Sequence, residues 1–113
     1  MSFPHWLSEH PEHSGVLPEA VECVVIGGGV IGVEFASVWK SFGSEVHIIE
    51  GLPRLVPAED EAISKAFERA YRKRKIDFTT GVRFQSATQN DSGVHVTLEN
   101  GETLDGDILL VAV

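Results

Sequence analysis

The chain has 113 residues, which is enough for one domain with a real core but too few for two independent domains. With 17 acidic and 9 basic residues its formal net charge is −8, so it would repel nucleic-acid phosphates and anionic lipids. No apolar run approaches the roughly 20 residues of a membrane span, and we expect no signal peptide. The composition therefore predicts a soluble, cytoplasmic protein without a nucleic-acid or membrane partner.

The first 18 residues combine prolines, a glycine and polar residues without a helical or alternating period, which predicts an irregular arm. The arm contains histidines and glutamates whose spacing matches no metal-ligand pattern: His5, Glu9, His10, Glu12 and His13. We therefore expect no metal site there. Residues 19–113 are predicted to form a single domain.

A glycine-rich turn follows the first predicted strand, Glu22–Ile26. Gly27, Gly29 and Gly32 have GxGxxG spacing: the first permits a tight bend, the second lets backbone approach a pyrophosphate, and the third allows close helix–strand packing. The helix that follows would direct its free N–H groups and its dipole at the phosphates. The candidate phosphate-binding residues are Gly27, Gly28, Gly29, Val30, Ile31 and Gly32.

An acidic residue ends the second predicted strand, which covers about 45–49. Glu50 lies roughly 20 residues after the glycine turn, where a ribose-binding acid is expected in a dinucleotide site. A carboxylate accepts hydrogen bonds from a diol and repels a 2′-phosphate, so the sequence predicts NAD rather than NADP. The competing interpretation is a glycine-rich turn in an ordinary α/β protein, with no nucleotide.

Two helices are predicted, the first over about 30–42 with Gly43 as its left-handed cap and the second over about 60–74. The first should bury a stripe at helical spacing: Ile31, Phe35, Val38 and Phe42. The second should bury Ile63, Ala66, Phe67, Ala70 and Tyr71. Its supporting i,i+4 pairs are Glu61 with Lys65 and Glu68 with Arg72.

From residue 76 the pattern changes from strand–helix alternation to consecutive strands, at about 76–79, 82–89, 94–98 and 103–104. Asn100-Gly101 is a strong hairpin signal, so the last three of these should form an antiparallel meander. The strand at 108–113 is apolar throughout, which is typical of a parallel strand covered on both faces. We predict a Rossmann-type parallel sheet, ordered third, second, first, last, with helices on its faces and the meander inserted. Since the chain ends within that strand, we expect a piece of a longer protein.

These residues resemble the pyridine nucleotide–disulfide oxidoreductases, and most closely the NAD-binding domain of dihydrolipoamide dehydrogenases, over about 17–113. The resemblance rests on the run from Val25 to Ala36, on Gly43–Val46 leading to Glu50, and on further short motifs: Leu52–Leu55, Asp60-Glu61, the meander and Leu110–Val113. It implies a flavoprotein that passes electrons from a dithiol through FAD to NAD.

The resemblance also implies roles for single residues. Gly27, Gly29 and Gly32 would hold the pyrophosphate, and Glu50 the adenosine ribose. Glu34 would lie toward the nicotinamide, near the flavin of the complete enzyme; without the resemblance it reads as a helix-dipole contact or a solvated side chain. The small Val30, at a position where some relatives have a bulky gate, suggests an open nicotinamide pocket.

The family's chemistry also needs paired cysteines, an FAD domain and a dimerisation domain with a His–Glu pair. This chain has one cysteine, Cys23, expected as a buried thiol, and His47 and His95 are expected to lack the neighbours of a catalytic base. We therefore expect the chain to bind NAD or NADH without turnover, and its partners to be the remaining domains. Two alternatives stay open: a stand-alone dinucleotide-binding module, and an FAD fingerprint, which Val30, Ile31 and Glu34 disfavour.

Overall fold

A computed structural model of the protein describes residues 22–112, so the predicted arm and its histidines lie outside the described residues. The described part alternates strands and helices before ending in consecutive strands. Its elements are β1 (Glu22–Ile26), α1 (Val30–Ser41), β2 (Glu45–Glu50), α2 (Glu61–Lys73), β3 (Asp77–Thr80), β4 (Phe84–Asn90), β5 (Gly93–Leu98), β6 (Thr103–Gly106) and β7 (Ile108–Val111). Neither of these two helices is long and apolar enough to cross a membrane.

Four strands form a parallel sheet in the order β3-β2-β1-β7, and β4, β5 and β6 form a separate antiparallel sheet. In the parallel sheet Val25 of β1 lies opposite Ile48 of β2 on one side and Leu110 of β7 on the other. The predicted fold class and strand order are confirmed. The meander is the long connection that carries the chain from β3 at one edge to β7 at the other.

The two faces of the parallel sheet are covered by different layers. On one face the sheet packs against α1, α2 and the loop after β2, in a buried cluster that includes Val25, Ile48 and Tyr71. On the other face Val24 and Ile49 pack against the meander. Because successive side chains of a strand point to opposite faces, β1 is buried on both sides. Both described helices therefore lie on one face, and the meander takes the place of a helix on the other.

The orientation predicted for α1 is wrong. Ile31 is 63% exposed and Phe42 41% exposed, while Phe35 and Val38 are half-buried. The residues that face the sheet instead are Gly32, Val33 and Ala36. The glycine turn dictates this rotation, since Gly32 has to lie against the backbone of Gly27, and Ala36, four positions after Gly32, lies on the same face.

Helix α2 begins and ends as predicted. Its N-cap is Asp60, whose carboxylate accepts a hydrogen bond from the Ala62 amide at 3.0 Å, and both predicted ion pairs form, with N···O distances of 3.5 and 3.8 Å. The predicted core face is correct only in part. Tyr71 is buried and Phe67 half-buried, but Ile63, Ala66 and Ala70 are exposed, and Ser64 is buried instead. Ser64 is buried because its hydroxyl donates to the Val56 carbonyl at 3.3 Å in the loop below.

The prediction that the last strand is covered on both faces is correct only in part, since Leu110 packs against the cluster on the helix side and Leu109 against the cluster on the meander side. Within residues 22–112, β7 is an edge strand that pairs only with β1, and Val111 is 56% exposed. The helices and the meander centre on β1 and β2, so the apolar residues of β7 are only partly covered. The meander itself is as predicted, with Gly101 at φ 89° in the Asn100-Gly101 turn.

Candidate functional site

The glycine turn and Glu50 come together at the carboxyl edge of the parallel sheet. β1 and β2 are adjacent and in register, with Ile26 opposite Ile49, so the residues that follow each strand emerge side by side. The Gly27 amide donates to the Ile49 carbonyl at 2.8 Å, which extends the pairing by one residue. Gly27 has φ 115°, a backbone conformation that glycine adopts at little cost.

Two of the glycines are required by close packing. A Cβ atom on Gly32 would overlap the carbonyl oxygen of Gly27, so only glycine allows the first turn of α1 to lie against the end of β1. A Cβ atom on Gly28 would lie 2.8 Å from Leu55 Cδ2 and 3.0 Å from Glu50 Cβ. The space around these two residues is therefore filled by the protein itself.

Gly29 differs, because a Cβ atom there would meet no atom of residues 22–112 within 4 Å. Gly29 is also the N-cap of α1, and among the described residues no side chain caps this helix end. The Val33 amide bonds to the Gly29 carbonyl at 3.0 Å, which closes the first helical turn. Amides at the start of a helix, together with its dipole, attract anions. The open space at Gly29 therefore adjoins a helix end that attracts anions.

The Glu50 carboxylate lies beside this helix end. Its Oε1 accepts a hydrogen bond from the Gly28 amide at 2.9 Å, and its Oε2 accepts one from the Leu52 amide at 2.7 Å. A carboxylate has about four lone-pair sites, so each oxygen can accept a further hydrogen bond. The two backbone bonds therefore fix the position of the carboxylate and leave it able to accept further hydrogen bonds.

The other predicted site residues lie further along α1. Val30 and Ile31 are exposed on its first turn, and Glu34 is exposed one turn on. Val30 and Glu34 line a groove of about 660 Å³ between α1 and α2, with Val56 at its floor. The structure thus brings Gly27–Gly32 and Glu50 together, and it places Glu34 on the groove rather than against the turn.

Sequence reasoning missed the loop between β2 and α2. Val56 is buried, has φ 42°, and donates its amide to the Gly28 carbonyl at 2.7 Å. Leu55 is fully buried against Gly28, and its amide donates to Glu68 of α2 at 3.0 Å. The glycines and prolines after Glu50 predicted a loop, but no sequence signal shows that this loop folds back onto the turn.

Two further ionisable groups lie within the sheet. Cys23 is buried, and burial raises the pKa of its thiol to about 11, which suits the inert role predicted for it. His47 Nε2 lies 2.8 Å from Thr79 Oγ1 on β3, and burial lowers the pKa of its imidazole.

The prediction that His95 lacks the neighbours of a catalytic base is wrong. Its Nδ1 lies 2.7 Å from Asp105 Oδ1, and its Nε2 lies 3.2 Å from both Ser92 Oγ and Asn90 Oδ1. The cross-strand pairing of His95 with Asp105 explains the contact, since the two residues are directly opposite in β5 and β6. This cluster is on the meander, on the opposite face of the sheet from α1.

Comparison with known proteins decides the family. A model of the pyridine nucleotide-disulphide oxidoreductases matches residues 7–113. The chain belongs to this family. Among its oxidoreductase relatives, it is 40% identical over 96 residues to a dihydrolipoamide dehydrogenase of Chaetomium thermophilum, a match that covers 80% of this chain and 19% of the relative. It is 43% identical over 94 residues to a mitochondrial dihydrolipoyl dehydrogenase of Schizosaccharomyces pombe, covering 79% and 18%.

The fold of this chain is shared with a ferredoxin reductase from Rhodopseudomonas palustris. The TM-score is 0.80 at 32% identity, and the match covers 94% of this chain and 26% of that one. The chain thus spans about a fifth of the length of the curated relatives that it matches. The resemblance read from the glycine turn, Glu50 and the meander is confirmed at the level of the family.

Proposed function

We propose that this chain is the NAD-binding domain of a dihydrolipoamide dehydrogenase-like flavoprotein, and that it holds NAD or NADH at the carboxyl edge of its parallel sheet. The observation that carries the proposal is the open, uncapped start of α1 at Gly29, beside a Glu50 carboxylate fixed by two backbone amides. The helix end matches the negatively charged pyrophosphate of a dinucleotide, and the carboxylate matches its uncharged ribose.

Under this proposal different residues bind different parts of the cofactor. Gly27–Gly32 hold the pyrophosphate through the backbone, and Glu50 accepts hydrogen bonds from the hydroxyls of the adenosine ribose. Val30, Ile31 and Glu34 lie toward the nicotinamide end, where the exposed start of α1 leads into the groove. The nicotinamide, when bound, supplies the hydride acceptor.

The charges near the ribose position support NAD over NADP. The Glu50 carboxylate is hydrogen-bonded to the turn through the Gly28 amide, and it would repel a 2′-phosphate. Arg54, which could neutralise a phosphate, is engaged elsewhere: its Nη2 donates to the carbonyls of Pro57 at 3.3 Å and Glu59 at 3.0 Å. Arg54 therefore stabilises the loop in which it lies.

The redox chemistry belongs, in this proposal, to a parent protein that adds an FAD domain and a dimerisation domain. The 113 residues contain one cysteine, so the paired thiols that the family's chemistry requires must come from elsewhere. We expect the chain alone to bind dinucleotide but not to oxidise dihydrolipoamide. We propose the cytoplasm as its location, with mitochondria as the alternative because two of the relatives are named as mitochondrial.

Titration calorimetry on the 113-residue chain tests the cofactor assignment. We expect weak NADH binding that is about tenfold tighter than NADPH binding, because a fixed carboxylate meets either two hydroxyls or a phosphate. NADPH binding as tightly as NADH would contradict the assignment of Glu50. A purified protein that retains flavin and is yellow would favour the alternative of an FAD fingerprint, and binding of neither would refute the proposal.

A further inference from the structure

The backbone N–H and the backbone C=O of Gly28 are both hydrogen-bonded to residues outside the glycine turn. Its amide donates to Glu50 Oε1 at 2.9 Å, and its carbonyl accepts from the Val56 amide at 2.7 Å. Gly28 lies between the tight bend at Gly27 and the open helix end at Gly29. The direction in which the turn presents its amides therefore depends on Val56 as well as on the glycines.

Val56 adopts a conformation that is unfavourable for its residue type. Its φ of 42° lies in the left-handed region, where a β-branched side chain is strained, and it is 2% exposed. Such a conformation persists only when the surrounding contacts hold it. Two contacts hold its carbonyl, which accepts from the Glu59 amide at 2.9 Å and from Ser64 Oγ at 3.3 Å.

The residue before Val56 is held by a charge. Glu68 Oε2 accepts a hydrogen bond from the Leu55 amide at 3.0 Å, and only 16% of the Glu68 side chain is exposed. Its other oxygen faces Arg72 at 3.8 Å, on the exposed side of α2. Charged acceptors make the stronger backbone hydrogen bonds, so Glu68 is well suited to hold a strained segment.

We propose that Glu68 of α2 is a positioning residue for dinucleotide binding. It holds the strained Leu55-Val56 segment in place, and this segment in turn fixes the positions of the glycine turn and of Glu50. The connection is continuous: Glu68 holds Leu55, Val56 holds the Gly28 carbonyl, and the Gly28 amide holds Glu50. The inference rests on the proposed function for its ligand, but the link from Glu68 to Gly28 exists in the protein without ligand.

The test uses the whole chain in three variants. Glu68→Ala removes the acceptor, Glu68→Gln keeps an acceptor of the same length, and Arg72→Ala is the control that removes the exposed partner of Glu68. Amide hydrogen exchange at Val56 and Gly28 is measured by NMR without ligand, and NADH affinity by titration. The Leu98 amide, bonded to the Glu102 carbonyl at 2.9 Å in the meander, reports on the global fold.

We expect Glu68→Ala to raise exchange at Val56 and Gly28 about tenfold and to weaken NADH binding about fivefold, with Leu98 unchanged. Glu68→Gln should keep amide exchange and NADH affinity close to those of the unaltered chain. Arg72→Ala should change neither quantity. If Glu68→Ala also loses protection at Leu98, Glu68→Met replaces it, since methionine keeps the volume without an acceptor.

Unchanged exchange at Val56 and Gly28 would overturn the proposed link. Raised exchange with unchanged NADH affinity would overturn the positioning role, since Glu68 would then support the loop alone. If the unaltered chain binds no NADH, the proposed function fails, and the exchange data still show by themselves whether Glu68 sets the Gly28 peptide.

Discussion

The two helices on the same face of the sheet begin in opposite ways. Helix α2 begins at Asp60, whose side chain caps the Ala62 amide, and has Glu61 in its first turn. Helix α1 begins at Gly29, with no side-chain cap and no acidic residue in its first turn. One helix end is neutralised by its own side chains, whereas the other presents its amides and positive dipole to open space.

This contrast shows where stability and binding are separated. At α2 the capping bond contributes to folding. At α1 the same groups would bind an anion under the proposed function, and the nearby negative charge, Glu50, is fixed by Gly28 and Leu52 at the side of the turn. Substitutions at the two helix ends should therefore have opposite effects on binding and stability.

The largest effect is expected from Gly29→Leu. Its side chain would fill the space proposed for the pyrophosphate, so NADH affinity should fall at least about 100-fold, which corresponds to roughly 2.7 kcal/mol. Because a Cβ atom there meets nothing within 4 Å, the melting temperature should change little. Titration and thermal unfolding measure the two quantities, and Gly29→Ala should give a smaller loss of affinity. Normal NADH binding by the Leu variant would show that the cofactor does not bind at this turn.

A smaller effect is expected from Glu50→Gln, which keeps the shape of the side chain, removes its charge and leaves one acceptor oxygen for the two amides of Gly28 and Leu52. NADH should bind about tenfold more weakly, since charge-assisted hydrogen bonds are roughly twice as strong as neutral ones. NADPH should bind no more weakly than before, because its 2′-phosphate no longer meets a carboxylate. Parallel titrations with both cofactors measure the ratio. A ratio that stays the same would remove Glu50 from cofactor selection.

Asp60→Ala should show the reverse of Gly29→Leu. Loss of the cap at α2 is expected to lower the free energy of unfolding by about 1 kcal/mol, the usual contribution of an N-cap side chain. NADH affinity should be unchanged, since Asp60 belongs to the other helix end. Urea unfolding and NADH titration are the measurements, and a loss of affinity as large as that of Glu50→Gln would show that the two ends are not independent.

The smallest effect concerns pH, through His47 of β2. Burial lowers the pKa of His47 below the unfolded value of 6.5, so between the two values the unfolded chain binds more protons. His47 therefore stabilises the fold above about pH 6.5, and this contribution is lost as the pH falls toward the folded pKa. His47→Gln should flatten the decline of the urea midpoint between pH 7 and 5 relative to the unaltered chain. An identical decline in both proteins would show that His47 is not involved.

Much of the fold was predictable because local signals agree with the global pattern. The glycine turn, the Asp60 cap and Asn100-Gly101 each fix one connection, and right-handed crossovers then leave one strand order. The rotation of α1 was not predictable from periodicity. Several of its faces are apolar, and the packing of Gly32 on Gly27, rather than hydrophobicity, selects the buried one.

For the candidate site, spacing was sufficient to predict that the glycine turn and the residue ending the second strand lie together. Gly27–Gly32 and Glu50 are predictable because parallel neighbours place their carboxyl ends together. Val56 and Glu68 were not, because their contacts depend on how a loop without a regular pattern folds back. His95 was misjudged for a similar reason: its partner Asp105 is ten residues away and meets it only through the hairpin register.

The most direct test of the account is an NMR titration of the uniformly labelled chain with NADH. The account predicts that the largest amide shifts fall on Gly27–Val33 and on Leu52. Gly28, within this range, and Leu52 are the two residues whose amides bond to Glu50. No comparable shifts are expected at Glu61–Ala62, at the start of α2. Largest shifts on the meander or at the start of α2, or no shifts with NADH, would contradict it.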